Sequence, residues 1–84
     1  MEEFLRKFTQ LDGQMGKITL DHCLFDKQIF YCNVLQTIND ERVGLVIKGR
    51  EIFVDKQGVK TAEVCGNVYK ISDDRLTIIV ELNK

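Results

Sequence analysis

Eighty-four residues with a formal charge of −1, a single histidine and no proline describe one small domain. A chain of this length buries only about 60% of the surface its unfolded form exposes, so there is no room for a second core and little surplus stability. The balanced charge excludes the strongly basic composition of a dedicated nucleic-acid binder, and no apolar run approaches the roughly 20 residues a membrane-spanning helix needs.

Met1–Asp12 reads as a short amphipathic helix. Phe4, Leu5, Phe8 and Leu11 recur at helical spacing on one stripe. Glu2 and Glu3 suit the positive end of the helix dipole, and Gly13 suits a left-handed stop. So apolar a stripe must dock, either across an open end of the chain's own sheet or on a neighbouring subunit.

From Lys17 to Leu82 the pattern is β throughout. A first strand is expected over Lys17–Phe25, with Ile18, Leu20, His22 and Leu24 on one face, ending at an Asp26-Lys27 turn. Gln28–Ile38 is apolar on both faces, which predicts a central strand that is either covered on both sides or sharply bent. Asn39-Asp40-Glu41 is a turn. Arg42–Lys48 alternates through Val43, Leu45 and Ile47, and Lys48-Gly49-Arg50 turns the chain into Glu51–Asp55. Beyond a Gln57-Gly58 turn, Val59–Ser72 forms a strand interrupted or bulged at Gly66-Asn67, and Ser72-Asp73-Asp74 turns it into Arg75–Leu82. The expected architecture is a single domain over 1–84: a helix over 1–12, then a small, strongly bent sheet or barrel over 17–82.

Chemistry is scarce. His22, Cys23, Cys32 and Cys65 make up a nominal zinc set, but the close Cys-x-x-Cys spacing that preorganises thiolates is missing. Side chains of neighbours on a strand also point to opposite faces, which separates His22 from Cys23 and disfavours a Cys–His nucleophile pair. Asp73 and Asp74 sit at a turn, where such residues are ordinarily structural. No catalytic residue, metal site or cofactor is therefore expected. The odd cysteine count predicts free thiols acting as small buried hydrophobes. Together with acidic residues where a secretory leader carries basic ones, this predicts a cytoplasmic protein.

One band of charge stands out. Arg42–Lys60 carries five basic residues against two acidic ones, so the rest of the chain is acidic. Arg42, Lys48, Arg50, Lys56 and Lys60, with Phe53 between them, are the candidate RNA contacts: the cations for phosphates and the ring for a base. The competing reading makes them ordinary solvated turn charges around a core phenylalanine.

The order of elements resembles the Sm-like family of small β-barrels, which includes bacterial RNA chaperones. Lys17-Ile-Thr-Leu-Asp-His-Cys-Leu-Phe-Asp-Lys27 is similar to that family's first strand and turn, and Gln36–Val54 to its acidic turn and the two strands after it. The likeness implies an N-terminal helix and five short strands closing into a strongly bent Sm-like or SH3-like barrel. It departs at Tyr31-Cys32-Asn33, where the family carries a glycine, and at Lys56-Gln57, where the family's histidine-bearing RNA motif is missing. The expectation is a non-catalytic, self-associating module that binds RNA through the 42–60 band. The alternative is a protein-interaction or assembly subunit, of phage or bacterial origin, with no nucleic-acid role.

Overall fold

The computed structural model describes residues 1–82. One α-helix, α1 (Glu2–Thr9), precedes eight strands: β1 (Met15–His22), β2 (Gln28–Asn33), β3 (Gln36–Ile38), β4 (Arg42–Ile47), β5 (Arg50–Asp55), β6 (Thr61–Cys65), β7 (Val68–Ser72) and β8 (Leu76–Leu82). A 3-10 turn at Lys56–Gly58 joins β5 to β6. All pairing is antiparallel, in a five-stranded sheet ordered β2-β1-β8-β7-β6 and a three-stranded sheet ordered β3-β4-β5.

The expected doubly apolar strand Gln28–Ile38 is the hinge of this arrangement. It splits into β2 and β3, which belong to different sheets. Val34 donates its N–H to the Gln14 carbonyl (2.7 Å) and accepts from Gly13 N–H, while the next carbonyl, Leu35, accepts from Val46 N–H at 2.7 Å. Successive residues therefore bond to opposite neighbours, and the chain leaves one sheet for the other between them. The bent reading holds; cover on both sides does not, because Ile29, Tyr31 and Leu35 are exposed. The likeness implied five strands closing into a barrel. Among the described residues there are instead eight, in two sheets, and no pairing joins β5 to β6.

The helix docks on its own sheets. Phe4, Phe8 and Leu11 are buried, the two rings stack at 5.2 Å, and Tyr69 of β7 meets each edge-on or tilted at 6.4 Å. Burying a phenylalanine side chain contributes about 1.5–3 kcal/mol, so this stripe does more to hold α1 in place than eight residues of helix propensity do. The segment after the helix fastens the hinge: Gly13, with φ +84°, brings Gln14 alongside Val34, and Asp12 Oδ1 accepts the Gln36 N–H at 3.1 Å.

Between the sheets lies one core. Ile18, Ile78, Val80 and Ile71 come from the five-stranded sheet, and Val43, Leu45 and Val54 from the three-stranded one. Gly44 lies opposite Phe53 of β5, and a Cβ there would strike the Ile52 carbonyl and, at 2.6 Å, the Cα of Phe53.

Several boundaries differ from expectation. The first strand ends at His22, and Leu24 lies in the turn that follows, because Cys23 donates to the Arg75 carbonyl and Leu24 N–H then bonds to His22 Nδ1 at 3.0 Å. Gly66, at φ +62°, and Asn67 form a full hairpin turn, so Val59–Ser72 is two paired strands. The cysteines are free, but Cys23 and Cys65 are exposed and Cys32 is half-buried, so the expected buried role fails. Cys65 faces outward because it ends an edge strand beside that hairpin.

Candidate functional site

The six residues of the expected RNA surface do not form one face. Arg42, at the start of β4, lies 4.2 Å over the ring of Phe53 and within 3.9–4.0 Å of Glu51 and Asp55. That follows from register: Gly44, with no side chain, lies opposite Phe53, and Asp55 opposite Arg42, so the ring and both carboxylates are offered to one guanidinium. Phe53 is thus covered by Arg42 and half-exposed. Lys56 lies on the 3-10 turn, beside a concavity it shares with Asp40, Glu41 and Asp55. Lys60 reaches Asp74 at 3.8 Å.

Lys48 and Arg50 remain together, on the turn joining β4 to β5. Lys48 (φ +52°) and Gly49 (φ +80°) both take left-handed backbone, the geometry of a tight two-residue hairpin. The Lys48 ammonium stands 5.6 Å from the Phe30 ring centroid. With Arg50 it borders a groove of about 400 Å³ whose walls include Leu20, Phe30, Ile47 and Ile52. Neither cation has a carboxylate within ion-pair distance among the described residues.

The titratable groups offer no assembled chemistry. Asp73 Oδ1 accepts the N–H groups of Arg75 and Leu76, both at 2.8 Å, and Asn39 Oδ1 does the same for Glu41 and Arg42, so both turns are closed by their own side chains. His22 Nδ1 is occupied by the Leu24 N–H. Among the described residues no three His, Cys, Asp or Glu side chains converge. Glu3, on the exposed face of α1, is held below its usual range by the hydrogen bond and charge of Lys7 at 3.1 Å.

A different surface emerges where the sequence pattern pointed inward. Among the described residues the large exposed apolar side chains are Met1, Met15, Leu24, Phe25, Ile29, Tyr31 and Leu35. All but Met1 belong to β2 or adjoin it: Ile29 and Tyr31 lie on it, Met15 opposite Asn33, Leu24 and Phe25 in the turn before it, and Leu35 just after it. Leu24, Phe25 and Tyr31 are 77%, 69% and 74% exposed.

No family model, curated protein or solved structure matches this chain. The function must be argued from the surface itself. The signal for it was present in the sequence, in the two-faced apolar run Gln28–Ile38; a run apolar on both faces looks the same whether its second face is covered by the chain's own sheet or by another molecule.

Proposed function

We propose that this chain is a non-catalytic interaction module that works by self-association, in a reducing compartment such as the cytoplasm. The exposed apolar residues on and beside β2, namely Met15, Leu24, Phe25, Ile29, Tyr31 and Leu35, carry the reading, since exposed apolar residues concentrated in one part of a small domain suit an interaction site. Exposed free thiols at Cys23 and Cys65 suit a reducing setting. The strongly bent β2–β3 strand agrees with an Sm-like kinship, which stays part of this proposal. Light scattering on a sizing column is the test. The mass is expected to exceed that of one chain and to rise with concentration. A single-chain mass at all concentrations overturns the reading.

A second reading, RNA binding, rests on one observation: Lys48 and Arg50 project from one turn beside the half-buried Phe30. Two phosphate contacts give weak affinity with a shallow salt slope, about −1.4 in log–log terms for a single strand. Fluorescence anisotropy with a single-stranded RNA should show binding that falls with salt at that slope and is lost in a Lys48→Asn/Arg50→Gln double variant. Asparagine is chosen because it tolerates the left-handed backbone of Lys48. Binding unchanged by salt or by the variant removes this reading.

A further inference from the structure

Four strands end their sheets with a side unpaired among the described residues: β2, β3, β5 and β6. Natural sheets protect such edges with charge, proline, shortness or a covering element. β5 is protected by Arg50, Glu51 and Asp55. β6 is five residues long, bears Glu63 and is flanked by Lys60. β2, Gln-Ile-Phe-Tyr-Cys-Asn, has six residues, no charge and no proline. β3 is uncharged as well, but it has only three residues and its Gln36 N–H is bonded to Asp12 Oδ1, so β2 is the long uncharged edge, and the exposed apolar residues gather around it.

The hydrogen-bond parity fixes what β2 offers. Val34 directs both its backbone groups toward the β1 side, bonding Gln14 and Gly13. Alternation along the strand therefore directs Cys32, Phe30 and Gln28 toward β1 as well, and turns the N–H and C=O groups of Asn33, Tyr31 and Ile29 outward. The Leu35 carbonyl, of the same parity, is satisfied by Val46 because β4 is beside it. β4 ends at Ile47, opposite the hinge, so this partner stops before Asn33. The outer edge of β2 is left as a strand template of three residues.

We infer that the occupant is β2 of a second copy, paired antiparallel about a two-fold axis at Tyr31. This rests on the self-association reading and specifies its surface. The two-fold sets Tyr31 opposite Tyr31 of the second copy and Ile29 opposite its Asn33, so every outward backbone group of the template finds a partner. It also carries the Leu24–Phe25 turn of one copy toward Leu35 of the other. An uncharged strand can pair with itself without like charges facing each other, whereas β5, with Arg50 and Glu51 on its free edge, would need a complementary sequence. The joined sheet would run through ten strands, and the isologous geometry closes at a dimer.

Tyr31→Lys tests the inference, because it sets two ammonium groups opposite each other at the axis while altering a side chain already exposed in the single chain. Light scattering is expected to show self-association weakened by roughly a hundredfold or more. Tyr31→Phe and, on the β6 edge, Glu63→Lys should retain the wild-type mass. A second measurement needs no variant: in the self-associated wild type, the amides of Ile29, Tyr31 and Asn33 should exchange with solvent at least tenfold more slowly than in dilute protein. If the wild type is a single chain throughout, both this inference and the broader reading fail. If it self-associates while Tyr31→Lys keeps its mass and those three amides exchange freely, this surface is wrong and the broader reading survives.

Discussion

At the scale of single residues, Gly44 is the glycine with the least room for a side chain. Backbone atoms of Ile52 and Phe53 occupy the space a Cβ would take, and backbone cannot swing aside as a side-chain tip can. Gly44→Ala should therefore cost at least the ~1–3 kcal/mol typical of overpacking, seen as a lowered thermal midpoint by circular dichroism; an unchanged midpoint would show that β4 and β5 can part without loss. Asp12 is a subtler case, its carboxylate accepting the Gln36 N–H beside the hinge. Asp12→Ala should lose about 0.5–1.5 kcal/mol in urea unfolding and Asp12→Asn less, because the amide oxygen still accepts. Glu3 gives the pH sign: its folded value is depressed by Lys7, so its contribution is present at neutral pH and lost as acid protonates it. Being fully exposed, this pair should leave the stability curve nearly flat through that range, and Glu3→Gln nearly silent at pH 7.

Elements divide by how much of their environment lies within the chain. The β4–β5 hairpin was legible because Val43, Leu45 and Ile47 alternate and Gly49 marks the turn, all local signals. The helix stripe was legible too, and it docks on Tyr69 as an internal cap. Phe8→Ala should cost about 3–5 kcal/mol, since the ring is enclosed and the helix has no other strong anchor besides Phe4 and Leu11. A smaller loss, measured by denaturant unfolding, would mean the helix contributes little to the fold. Leu24 was misplaced because period-two alternation continues through it, while the turn is fixed by Arg75, more than fifty residues away in the chain. The division of Gln28–Ile38 between two sheets shows the same limit: the pattern allowed cover on both sides or a sharp bend, and only the partners Gln14 and Val46 decide for the bend and locate it at Val34–Leu35. The basic band failed as a continuous surface for a comparable reason. Its charges are adjacent in sequence, but cross-strand register hands Arg42 to Glu51 and Asp55, and the final turn hands Lys60 to Asp74.

For the whole molecule, the decisive asymmetry is between its strand edges. Among the described residues two edges carry charge and β3 has only three residues, whereas β2 carries no charge and is bordered by exposed apolar side chains. A small domain gains from covering such a surface, since its own core is limited by size. On this account, self-association and stability rise together, and the thermal midpoint should climb with protein concentration. Amide exchange across a dilution series reads the central claim most directly, because it reports on the backbone that would do the pairing. Protection at Ile29, Tyr31 and Asn33 that grows with concentration is the expected result. Equal, rapid exchange of those amides at every concentration, in a sample whose core amides stay protected, would contradict it.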